Sequence, residues 1–197
     1  MTDYSPAGYR PTPFLSDERQ TRFSKAPELG EGIEPGKDYQ AVFETSKGRI
    51  VMKLYPEQAP MTVNSFVYLI RHHYYDGIVF HRVIDGFMAQ TGDVEHGKHD
   101  GASTNMAGMG GSDLPDLEAE FNDVSFQAGT VGMARAQDPN SANSQFFINF
   151  KDNHFLNGQY TVYGRVVSGM EHVDKIARGE PPANPDRMIS VKVAADA

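Results

Sequence analysis

The chain has no cysteine among its 197 residues. That excludes disulfides, a thiolate nucleophile and cysteine-ligated zinc. It is also short of base: 18 lysines and arginines stand against 26 aspartates and glutamates, a formal charge of −8. Such a chain suits neither a nucleic-acid backbone nor an anionic membrane, and neither is expected as its main partner. No apolar run approaches the roughly 18–20 residues of a membrane span. The first residues, MTDYSPAGYRPTPFLSDERQ, lack the basic start and apolar core of a secretory signal, so the expected compartment is the cytoplasm. No large apolar stripe marks a subunit interface, and a monomer is expected.

What is present suits one globular domain with an appendage: 39% of the residues are hydrophobic. Residues 1–38 carry five of the twelve prolines (Pro6, Pro11, Pro13, Pro27 and Pro35) and many charges. They read as a loosely packed N-terminal extension, whose scattered Phe14, Leu15, Phe23, Leu29 and Ile33 could instead anchor it on the domain surface. SDERQTRF within it predicts a short helix capped by Ser16. From Tyr39 to the end, residues 39–197, the pattern is that of a folded domain. YQAVFETSKGRIVMKLY is a hairpin signal around Ser46-Lys47-Gly48. Val63, Phe66, Val67 and Ile70 recur at helical spacing after Pro60. IVFHRVI, FMAQTGD, GTVGMARA, SQFFINF, YTVYGRVV and ISVKVAA read as short strands, and GMEHVDKIARG as a second helix burying Met170, Val173, Ile176 and Ala177. About eight strands and two helices point to a closed antiparallel barrel or a sandwich. Residues 94–120, rich in Gly, Asp and Ser, read as a long loop of the kind that is usually functional or mobile.

Several chemistries find little support. HGKHD at 96–100 offers two imidazoles and a carboxylate, but on a glycine-rich loop and without an HExxH pattern. GMGG at 108–111 lacks the flanking residues of a phosphate loop. No GxSxG elbow presents Ser112, Ser141 or Ser144 as a nucleophile. The stretch FHRVIDGFMAQTGD, residues 80–93, is more informative. An arginine in a strand is most often solvent-facing or salt-bridged. Here Gln90 can hold the guanidinium of Arg82, while Phe87 and Met88 supply an apolar floor, the usual make-up of a small ligand site. With no nucleophile nearby, such a site suits binding and polarising. Strict alternation would put Phe87 on the opposite face from Met88 and Gln90. A shared pocket therefore predicts a bulge or bend at Gly86.

FHRVIDGFMAQTGD, GTVGMARAQDPNSANSQFFINF and FLNGQYTVYGRVV together resemble the cyclophilin family of peptidyl-prolyl cis-trans isomerases, in family order and spacing, from about Tyr39 to Ala195. The resemblance implies a mainly β fold: a closed eight-stranded antiparallel β-barrel capped by two α-helices, with the substrate groove on its outer face. It places the catalytic arginine at Arg82 and the substrate-binding pocket at Phe87, Met88 and Gln90. Ala134 and Arg135 match the segment running beside the bound peptide, and Gln145 and Phe147 match the family's QFF. Phe155 and Leu156 match its Trp-Leu or Phe-Leu pair, and Tyr160 falls where many eukaryotic members have histidine. His81 looks structural. Phe155 stands where cyclosporin-sensitive members have tryptophan, so only weak cyclosporin binding is implied. Arg135 replaces an asparagine common in eukaryotic members, and the set resembles the bacterial branch.

The implied reaction is rotation about X–Pro bonds in proline-containing peptides and in unfolded or folding proteins. Arg82 would stabilise the twisted prolyl amide without covalent chemistry, and no cofactor or metal is needed. Two readings of other classes stay open beside it. One is a proline-peptide binding module or chaperone with little turnover. The other is a metal-dependent hydrolase using His96 and His99, whose side chains would have to converge with an acid.

Overall fold

The computed structural model describes residues 4–98 and 106–197. The strands are β1 (Tyr9–Pro11), β2 (Tyr39–Thr45), β3 (Gly48–Leu54), β4 (Ile78–Val79), β5 (Arg82–Ile84), β6 (Met88–Thr91), β7 (Thr130–Met133), β8 (Phe146–Asn149), β9 (Val162–Ser168) and β10 (Arg187–Asp196). The helices are α1 (Pro60–Ile70) and α2 (Met170–Val173). Every strand pair is antiparallel, along the path β1-β10-β2-β3-β9-β7-β8-β6-β5, with β4 also on β10. β2 and β3 form the predicted hairpin, Thr45 facing Gly48 across Ser46 and Lys47.

The apolar stripe of α1 is buried as its spacing predicts: Val63, Phe66, Val67 and Ile70 lose nearly all contact with solvent. Phe66 is the hub, meeting Phe43 of β2, Tyr75, Phe146 of β8 and Tyr163 of β9 at ring-centroid distances of 5.0–6.4 Å. Tilted and edge-on aromatic contacts of this kind add to the area they bury. One large core thus lies between α1 and the inner face of the sheet.

A closed eight-stranded barrel is not what the ladder draws. Among the described residues there are ten strands, and the hydrogen-bonded path has two ends, β1 and β5. One extra strand, β1, comes from the extension. The other arises because IVFHRVI splits: β4 pairs with β10, whereas β5 pairs with β6. Between them Phe80 donates its N–H to the loop carbonyl of Asp186, so the ladder is dropped there. The second helix is also shorter than expected. Val173 and Ile176 are buried as predicted, whereas Met170 and Ala177 are only half-buried. After Val173, however, Lys175 and Ile176 donate to carbonyls three residues back, and the α-helix has ended.

The extension does not form the predicted helix at Ser16. Leu15 and Gln20 donate their N–H groups to Arg71 O and His72 O, and the Ser16 hydroxyl donates to Glu18 O. Backbone groups bonded to the end of α1 are not free to make a helix of their own. Asn64 of α1 holds the later part of this segment. Its Oδ1 accepts from Gly30, Gly32 and Ile33 at 3.3, 2.9 and 3.2 Å, and its Nδ2 donates to Glu28 O at 3.0 Å. Asn64 itself is fully buried. Asn64→Ala would strand several amides away from water, so a stability loss of about 3 kcal/mol is expected. Thermal unfolding should then show a midpoint about 6–12 °C lower.

Candidate active site

In the β5–β6 hairpin Arg82 faces Gln90 and Ile84 faces Met88. Directly opposed residues share a face, so the arginine and the amide project together. Asp85, Gly86 and Phe87 make the connection, with Phe87 N–H donating to Ile84 O at 3.0 Å. Gly86 has φ +70°, a left-handed conformation that costs glycine little. The interruption expected at Gly86 is therefore a turn, not a bulge. It takes Phe87 out of strand alternation and lets it line one cleft with Met88, Gln90 and Arg82.

That cleft measures about 340 Å³. Its floor is a second apolar cluster, separate from the core, built from Met88, Phe126, Phe147, Leu156 and Val162, with Phe87, Ala134 and Tyr160 packed against it. Along β8 the two phenylalanines divide the work. Phe146 points into the core and Phe147 into the cleft floor, as alternation requires. Beneath Phe147 lies Phe126, stacked at 5.7 Å and 15°. Gly132 of β7 sits opposite Phe147 in register. A Cβ there would lie 2.7 Å from Phe147 Cζ and 2.9 Å from Phe126 Cε1.

Above the floor stands Arg82, with its side chain about half exposed. Its Nε donates to Glu180 Oε1 at 2.8 Å, while its Nη1 reaches Gln90 Oε1 only at 3.4 Å. The main brace is therefore Glu180, and Gln90 is a longer, second contact. Gln90 in turn donates to Gln145 Oε1 at 2.9 Å, and Gln145 Nε2 donates to Gly108 O and Gly110 O. This relay ties the strands to the loop that forms the opposite bank. Arg135 lies over the Tyr160 ring at 4.6 Å, and Tyr160 meets Phe147 edge-on at 5.6 Å. His81 is buried beside the cleft. Burial holds it below the ordinary histidine range, reinforced by Arg82 and opposed by Asp93 and Gln145.

A family model, cyclophilin type peptidyl-prolyl cis-trans isomerase/CLD, matches residues 41–193. The chain belongs to the cyclophilin family. It is 52% identical over 161 residues to a probable peptidyl-prolyl cis-trans isomerase of Brucella suis, covering 79% of this chain and 82% of that one. Identity to peptidyl-prolyl cis-trans isomerase B of Escherichia coli is 41% over 142 residues, with 68% and 81% covered. Among solved structures, cyclophilin AquaCyp293 from Hirschia baltica matches with a TM-score of 0.67 and 27% identity, covering 78% and 76%. A Cryptosporidium parvum cyclophilin type isomerase, solved in the presence of the dipeptide Ala-Pro, matches with a TM-score of 0.69 and 25% identity, covering 78% and 98%. The protein is thus a rotamase, and cyclophilin isomerases act on proline-containing peptides.

In this cyclophilin the cleft brings together Arg82, Phe87, Met88, Gln90, Ala134, Arg135, Phe147, Leu156 and Tyr160. Gln145 lies in the adjoining groove. Phe155 does not line the cleft. It is 72% exposed, its ring 5.8 Å from that of Phe87. Sequence reasoning missed Met109, Glu180 and Pro181 in the lining, and Phe126 and Gly132 beneath it. A glycine inside the apolar strand GTVGMARA was the one available signal, since such a residue often marks a close approach. His96 and His99 were weighed for metal binding. His99 lies outside the described residues, and among the described residues no three potential ligands converge.

Proposed function

We infer that Arg82 is the catalytic residue and that the cleft accelerates X–Pro rotation by binding the twisted amide more tightly than either planar form. The barrier is roughly 18–20 kcal/mol because rotation breaks amide resonance. At the top of it the prolyl nitrogen carries a localised lone pair. A guanidinium above the prolyl ring donates to that nitrogen and leaves a second N–H for the proline's own carbonyl. The observation that carries this is the position of Arg82. Its Nε is tied to Glu180, and the residue lines one cleft with Phe87, Met88, Phe147 and Leu156. Those side chains clamp the ring and keep water away, which strengthens the donor. The bank at Ala134 and Arg135 holds the residue before proline.

The substrates are prolines in unfolded and folding polypeptides, the outer face of the sheet serves as an open groove, and the described part of the extension, residues 4–38, straps the isomerase domain of residues 39–197 outside the lining of the cleft. Magnetisation-exchange NMR on a short Ala-Pro peptide tests the activity, and refolding of a protein limited by a slow proline step tests the folding role. No gain in either rate would defeat this assignment.

Phe155 bears on cyclosporin. Its exposed ring leans on Phe87 at the rim, where a tryptophan would present a larger face and an indole N–H. Phe155→Trp is expected to tighten cyclosporin binding about tenfold, measured by calorimetry. Equal or weaker affinity would count against the role given to this position.

A further inference from the structure

We propose that Glu180 selects substrates with lysine or arginine immediately after the proline, an inference that rests on the isomerase assignment above. The neighbouring strands β7, β8, β6 and β5 lay the groove out in order, each step roughly 4.8 Å. Ala134 and Arg135 follow β7 at one side, and Arg82 opens β5 at the other. Beyond β5 runs one further segment. Val83 and Gly179 exchange both backbone hydrogen bonds at 2.8 Å, which fixes Glu180 beside the strand of Arg82. A peptide whose residue before proline lies at Ala134, with its proline over the floor, leaves across Arg82 towards Glu180.

The two ends of the groove differ in their charged groups: Arg135 stands at the entering end and the Arg82–Glu180 ion pair at the leaving end. At the entering end Arg135 is a cation held in place, donating to Gln159 O, Ala136 O and Gln137 O. At the leaving end Asp85 is engaged by Arg178 at 3.1 Å, and the carboxylate lining the cleft is that of Glu180. Glu180 spends one oxygen on Arg82 Nε, and its side chain is 56% exposed. A cationic side chain arriving after the proline meets this carboxylate. An anionic one meets repulsion. Because the carboxylate is solvated, the discrimination is a few-fold and falls with salt.

The test uses the full chain and three peptides, Ala-Ala-Pro-Lys, Ala-Ala-Pro-Gln and Ala-Ala-Pro-Glu, blocked at both ends. Exchange NMR gives kcat/KM for each at about 0.02 M and about 0.5 M salt, where screening lengths differ severalfold. The lysine peptide is expected to exceed the glutamate peptide about fivefold at low salt, with glutamine between them, and the gap should close at high salt. Glu180→Gln keeps a carbonyl acceptor for Arg82 Nε and removes the charge. Whatever happens to its overall rate, its lysine-to-glutamate ratio should fall to about one. Equal rates on all three peptides in the wild type, or a ratio that survives in Glu180→Gln, would overturn the proposal while leaving the isomerase assignment standing. Failure of the wild type to accelerate any peptide would instead sink that assignment and this proposal with it.

Discussion

Arg82→Ala is expected to lower kcat/KM for X–Pro exchange by about two orders of magnitude, the usual cost of losing a central electrostatic donor. Stability should barely change. The Arg82 side chain is about half exposed and its ion pair with Glu180 is solvated, so its removal leaves no buried charge behind. A melting temperature close to that of the wild type, beside a hundredfold slower exchange, separates chemistry from folding. Arg82→Lys sharpens the point. Lysine keeps the charge but lacks the planar fork, so it cannot bond Glu180 and the prolyl nitrogen from fixed positions at once. It is expected to recover little of the lost rate. If Arg82→Ala exchanges the peptide as fast as wild type, the arginine is a surface residue in a salt bridge and the mechanism is wrong.

Patterns local in sequence were legible. The spacing of Val63, Phe66, Val67 and Ile70 gave α1, because an amphipathic helix repeats within a single turn. Alternation along β8 puts Phe146 and Phe147 on opposite faces, although only Phe147 was singled out beforehand, from the family's QFF motif. The conflict between Phe87 and its neighbours in strand alternation located the turn at Gly86. Site roles came from the family's motifs and not from periodicity. What stayed hidden depends on contacts far apart in the chain. Glu180 braces an arginine 98 residues away, so the brace was assigned to Gln90, only eight residues along the chain. Ser16 has the sequence of a helix cap, but the end of α1 takes the backbone groups of its segment. The run IVFHRVI reads as one strand, and nothing in it shows that its halves pair with different strands.

Gly132 carries the second large effect, because it sets the height of the cleft floor. In Gly132→Ala the new methyl falls 2.7 Å from Phe147 and within 3.0 Å of Phe126, closer than real side-chain carbons pack. Neither ring yields easily: Phe126 is fully buried, and Phe147 is stacked on it and flanked by Tyr160. Overpacking of this kind costs about 1–3 kcal/mol. Phe147 lines the cleft, so a shift of its ring disturbs the place where the prolyl ring must lie, and kcat/KM is expected to fall by at least about tenfold. A second substitution separates the two consequences. Phe126→Leu, added to Gly132→Ala, gives the rings room below, so the melting temperature should recover in part. Activity should recover less, because a displaced Phe147 still misplaces the proline. Normal activity in Gly132→Ala with Phe126 intact would show that the proline does not sit on Phe147, and the floor would have to be sought elsewhere in the groove.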